Sequence, residues 1–127
     1  MVFGTFDILH PGHLFLFTEA KKLGDSLVVI VARDTTVQTV KNIQIQNNEK
    51  TRLKNIVDLN IADKVILGNI DDKYQVIREE NPDTIALGYD QTAFTDNLEK
   101  VFPNIKIVRL PPYKEYIYKS SKFRDKN

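Results

Sequence analysis

Apolar positions recur along this chain in two rhythms. Leu27 to Ala32 is an unbroken apolar, largely β-branched run, the pattern of a strand covered on both faces in a parallel sheet. Shorter runs of the same kind stand at Val2-Phe3, Lys64 to Gly68, Thr84 to Leu87 and Ile105 to Val108. Between them the spacing becomes helical. Pro11 opens a segment with Leu14, Phe15, Phe17 and Leu23 apolar, and Gly24 is placed to end it in the left-handed conformation. Asn47 or Asn48 can cap a second helix carrying Leu53, Ile56 and Val57 on one face. A third runs from Tyr74 to Glu80 until Asn81-Pro82 breaks it, and a fourth passes through Phe94, Leu98 and Val101 before Pro103. Strands alternating with helices predict a single α/β domain over residues 1–127: Rossmann-like, doubly wound, with a five-stranded parallel sheet flanked by helices. Only Met1-Val2-Phe3 precede Gly4, so the first strand is expected to be short.

Composition narrows the chemistry. With no Cys, disulfides, thiolate zinc sites and thiol nucleophiles are excluded. Eighteen basic against 17 acidic residues leave a net charge of +1, which argues against a nucleic-acid partner held by counterion release. No apolar stretch approaches the ~20 residues of a membrane span and no signal-peptide pattern opens the chain, so a cytoplasmic protein is expected. From Arg109 onward six basic residues stand against two acidic ones. That tail reads either as a solvated end or as a lid facing phosphate, folded over the site.

In open α/β sheets ligands bind beyond the carboxyl ends of the strands, and the first strand runs into Gly4-Thr5-Phe6-Asp7-Ile8-Leu9-His10-Pro11-Gly12-His13. Two imidazoles and several free backbone N–H groups at a helix N-terminus suit a phosphate. Either histidine alone reads as a cap or surface residue; as His-x-Gly-His they point to an anion. The pair lacks the spacing and partners of a zinc site, so no protein-held metal is expected. Gly4 and Gly12 are ordinary turn glycines or the means by which a polyphosphate approaches the backbone. Asp7 either orients a histidine or a cation or fixes the turn. Asp90, beyond Gly88, either accepts from a ribose hydroxyl or a base or caps the next helix.

The segment Gly4 to His13 resembles the signature of cytidylyltransferase-like nucleotidylyltransferases. The likeness extends to Val31-Ala32-Arg33-Asp34, Arg52, Leu87-Gly88-Tyr89-Asp90-Gln91 and Lys119-Ser120-Ser121-Lys122. Among the branches it is most similar to archaeal FAD synthetases, with glycerol-3-phosphate cytidylyltransferase a near relative. The resemblance implies that an acceptor phosphate attacks the α-phosphorus of a nucleoside triphosphate, with Mg²⁺ assisting and pyrophosphate leaving. The expected substrates are ATP and FMN, or alternatively CTP and glycerol 3-phosphate, and the expected assembly is a homodimer. His10 and His13 would stabilise developing charge, Lys41 and Arg52 would hold the triphosphate, and Lys119, Ser120 and Ser121 would meet its phosphates. Gly4, Thr5, Phe6, Asp7, Gly12, Gly88 and Asp90 would line the nucleotide site. On the residues alone, Arg52 reads equally as a surface ion pair, Lys41 as a solvated lysine and the serines as helix caps. A nucleotide-binding module without turnover is the reading from another class.

Overall fold

The computed structural model describes residues 1–37, 45–69, 72, 74–89, 91 and 97–111. Among these residues five strands alternate with helices: β1 (Val2–Gly4), β2 (Val28–Val31), β3 (Lys64–Leu67), β4 (Thr84–Leu87) and β5 (Lys106–Arg109). The helices are α1 (Pro11–Lys21), the single turn α2 (Asp34–Thr36), α3 (Glu49–Asp58), α4 (Gln75–Glu80) and α5 (Leu98–Val101). All ladders are parallel. β2 lies between β1 and β3, with Val2 opposite Val29 and Val29 opposite Val65, while β4 pairs with β5 through Ile85 and Ile107.

The strands form a three-stranded and a two-stranded sheet rather than an unbroken five-stranded one. The two meet at a seam between β1 and β4. There the Met1 amino group donates to the Thr84 carbonyl (2.9 Å), and the Ala86 N–H donates to the Met1 carbonyl (3.0 Å). β1 spans three residues and pairs along its whole length with β2. Side chains nevertheless alternate across the seam as on one surface. Val2, Val29, Val31 and Ala86 pack with Phe17 and Ala20 of α1 and Ile56 of α3. Met1, Phe3, Ile30, Ile85 and Leu87 pack with Val76 and Ile77 of α4 and Leu98 of α5. Helices therefore cover both faces, as the strand composition requires.

Local expectations fail at two points. Gly24 does not take the left-handed conformation, since α1 is already closed by the N–H groups of Lys22 and Leu23 on the carbonyls of Glu19 and Ala20. Val57 is half exposed; the inward face of α3 is made by Ile56 and, unexpectedly, Arg52. Asn48 is the residue that caps α3, its side chain accepting from the Thr51 N–H at 2.8 Å. Asn81 ends α4 in the left-handed conformation at φ 47°. Among the described residues, no helix is long and apolar enough to cross a membrane.

Candidate active site

The loop leaving β1 is built around an aromatic ring. Phe6 has φ 53°, a conformation that costs a bulky residue about 1–3 kcal/mol and persists only when its surroundings enforce it. Here burial enforces it. The ring is 4% exposed and lies over Gly4, where a Cβ would fall 2.5 Å from its Cζ. Gly4 thus makes room for Phe6, and the space expected to admit a polyphosphate is occupied by that ring. Phe6 in turn meets His13 edge-on (5.3 Å between centroids) and Phe17 (5.1 Å), so it is a core residue that buttresses a histidine.

His10 is the N-cap of α1, and its Nδ1 accepts from the Gly12 N–H at 3.1 Å. Its carbonyl accepts from the N–H groups of His13 (2.9 Å) and Leu14 (3.3 Å). The first-turn amides expected to meet an anion are therefore taken up internally, and Pro11 has none to offer. What the helix start presents is its dipole and two imidazoles stacked 4.0 Å apart at 29°. Because Nδ1 of His10 is an acceptor, the neutral ring carries its proton on Nε2, an atom buried from solvent.

Asp7 fixes a distant loop. Its carboxylate accepts from the backbone N–H groups of Gln46 and Asn47, both at 2.8 Å, and its carbonyl accepts from Asn47 Nδ2 at 2.8 Å. The carboxylate thus ties the loop after β1 to the segment before α3, which differs from both expected roles, orienting a histidine or a cation and fixing its own turn. Arg52 closes the same junction from beneath. It is fully buried, donating from Nε to the Asn47 carbonyl (3.0 Å), from Nη1 to the Thr5 carbonyl (2.8 Å) and from Nη2 to the Asp34 carboxylate (2.6 Å). Its guanidinium is committed to protein rather than aimed outward at a triphosphate. Thr5 enters the site through the carbonyl that Arg52 holds.

The network continues beyond β2. Arg33 donates to the Gly68 carbonyl beyond β3 (2.8 Å) and to Glu49 (2.9 Å), whose other oxygen accepts the Asp34 N–H (2.9 Å). The first turn of α3 thereby ties together the carboxyl ends of β1, β2 and β3. On the far side of the seam, Gly88 is held through both backbone groups. Its N–H donates to Gln91 Oε1 (3.2 Å), and its carbonyl accepts from Arg109 Nη1 (2.8 Å) and the Gln91 N–H (3.2 Å).

The structure thus gathers Gly4, Thr5, Phe6, Asp7, His10, Gly12, His13 and Arg52 around the end of β1, with Gly88 just beyond the neighbouring β4. Lys41, Asp90, Lys119, Ser120 and Ser121 lie outside the described residues, as does the tail beyond residue 111. Asp34, Glu49, Arg33, Gln91 and Arg109 were not among the expected site residues. The signals available for Arg33, Asp34 and Gln91 were their place in segments that carry the family resemblance and their position just past the carboxyl ends of β2 and β4. Among the described residues, no group of three or more His, Asp or Glu is arranged to hold a metal ion.

Fold and site together define a parallel α/β protein with two stacked histidines at the head of the helix that follows its first strand. The chain belongs to the cytidylyltransferase-like family, whose model matches residues 1–126. It is 44% identical over 117 residues to an FAD synthase of Aciduliprofundum boonei, covering 89% of this chain and 78% of that protein. An FAD synthase of Thermoplasma volcanium is 42% identical over 130 aligned positions, with 99% and 91% covered. A crystal structure described as the lipopolysaccharide core biosynthesis protein of Thermoplasma volcanium GSS1 superposes with a TM-score of 0.84 at 41% identity, covering 90% of this chain and 96% of that one.

Proposed function

We infer that this chain is a nucleotidyltransferase that moves AMP from ATP to FMN, forming FAD and releasing pyrophosphate. The observation that carries the reaction class is the stacked His10–His13 pair at the head of α1. The FAD synthases at 42% and 44% identity supply the substrates. An FMN phosphate oxygen attacks the α-phosphorus of ATP, the bond to the β-phosphate breaks, and the electron pair leaves on pyrophosphate; a Mg²⁺ ion carried by the triphosphate would supply charge neutralisation there. No enzyme nucleophile is needed; such a transfer rests on positioning and charge stabilisation. His10, through Nε2–H, and His13 stabilise charge as it develops on the phosphates. Arg52 acts one step back, by fixing the Thr5 carbonyl and the Asp34 loop. Lys41, Lys119, Ser120 and Ser121 complete the grip on the triphosphate, and Asp90 meets the nucleoside beyond Gly88. The same reading includes a homodimer, which sedimentation would report.

The test is pyrophosphate release with Mg²⁺, crossing ATP and CTP against FMN, glycerol 3-phosphate and no acceptor. Release with ATP and FMN alone, with FAD as product, is expected. Release only with CTP and glycerol 3-phosphate would move the protein to the cytidylyl branch. Silence in every combination, from folded protein that binds nucleotide, would leave a binding module.

A further inference from the structure

We propose that Gln91 is a positioning residue whose carboxamide is inserted between β1 and β4 and holds open the crevice that receives the nucleotide. This rests on the nucleotidyltransfer reading and says which device shapes its site. The register of the seam carries the argument. Ala86 donates its N–H to the Met1 carbonyl (3.0 Å), so in a regular parallel ladder the next such bond, two residues on in each strand, joins the Gly88 N–H to the Phe3 carbonyl. Neither group uses the other. The Gly88 N–H donates to Gln91 Oε1 (3.2 Å), and the Phe3 carbonyl accepts from Gln91 Nε2 (3.1 Å). One side-chain amide thus satisfies both backbone groups and spaces the strands apart by its own width.

The place matters as much as the geometry. In the order β3-β2-β1-β4-β5 the chain reverses direction of winding at β1 and β4, and ligands bind at such switch points beyond the carboxyl ends of the strands. The wedge stands there, between the end of β1 that leads to His10 and the turn at Gly88. Arg109 Nη1 fixes that turn from the next strand by donating to the carbonyls of Gly88 and Gln91, both at 2.8 Å. Gln91 is therefore held by its backbone on one strand pair while its side chain reaches the other.

A merely structural Gln91 and a wedge behave oppositely on truncation. Gln91→Ala frees Gly88 and Phe3 to bond directly, so the seam closes, thermal stability is unchanged or raised, and the site narrows. The expected result is a KM and a calorimetric Kd for ATP raised about tenfold or more, with kcat changed less. Gln91→Asn, one methylene shorter, reaches one partner at a time and should fall between. Wild-type protein that binds ATP together with variants that bind it within twofold would overturn the wedge and leave the nucleotidyltransfer reading intact. Lowered stability at unchanged KM would also overturn it. Should Gln91→Ala fail to fold, the ATP affinity of Gln91→Asn decides on the same criterion. Wild-type protein that binds no ATP would bring down the functional reading and the wedge with it.

Discussion

On one face of the strands Val2, Val29, Val31 and Ala86 lie under α1 and α3; on the other, Met1, Phe3, Ile30, Ile85 and Leu87 lie under α4 and α5. Both cores draw on the same strands by simple alternation, yet among the described residues the first carries the one fully buried charged side chain, Arg52, and its helices carry the histidines and the Asn48 cap beside the Asp7 loop. The second is mainly apolar, with the Met1 amino group on the Thr84 carbonyl and the Lys64–Glu80 ion pair at its margins. Polarity has been gathered on the side where loops must hold one geometry, because hydrogen bonds fix direction and apolar contacts do not. Substitutions on the two faces should therefore separate activity from stability.

The largest expected effect is on turnover. His13→Ala should lower kcat on the order of 10²-fold or more, about 3 kcal/mol of transition-state stabilisation, with little change in melting temperature. His10→Asn tests the same point with the helix cap retained, since asparagine caps well. Near wild-type turnover in both would refute their role.

Ile77→Ala, on the opposite face, should cost about 3 kcal/mol of stability by leaving a cavity, read as a lowered urea midpoint. Its KM values, measured on folded protein, should stay at wild type; a shifted KM would mean that the faces are not separable. Arg52→Met combines the two kinds of effect. Removing it frees Thr5, Asn47 and Asp34 together, for about 2–3 kcal/mol of stability, and it should raise the KM for ATP as well. Gly4→Ala drives a methyl into the Phe6 ring, for about 2 kcal/mol, and disturbs His13 through that ring.

The smallest effect is a pH dependence at the seam. Burial lowers the pKa of the Met1 amino group from 8.0, so the unfolded chain binds a proton there more readily than the folded one. Stability from this group is complete above pH 8 and declines as pH falls through the folded-state pKa. A urea midpoint higher at pH 9 than at pH 7, with the difference reduced by N-terminal acetylation, is the expected result.

Much of the fold was legible because burial on two faces writes itself as unbroken apolar runs. Thr84 to Leu87 is a strand over the very residues whose composition announced it, and Pro11 opens α1 as its fixed φ suggests. The two histidines were legible as a pair at a helix start. Arg52 was legible as a residue but not in its role, since its partners come from three loops at Thr5, Asp34 and Asn47 that only the tertiary fold assembles. Gly4 and Phe6 show the same limit at short range: nothing in Gly-Thr-Phe-Asp reveals that the ring folds back over the glycine. Free amides at the head of α1 were expected from general helix geometry, and His10 had already claimed them.

The seam at Met1 also bears on how the molecule breathes. A junction of two backbone hydrogen bonds and a carboxamide is weaker than the ladders on either side, so local opening should start there. Amide protons of Gly88 and Ala86 would then exchange with solvent through a low-energy fluctuation, while those of Val29 and Ile30 wait for global unfolding. Nucleotide bound across the junction, as proposed, would slow the first pair and leave the second nearly untouched.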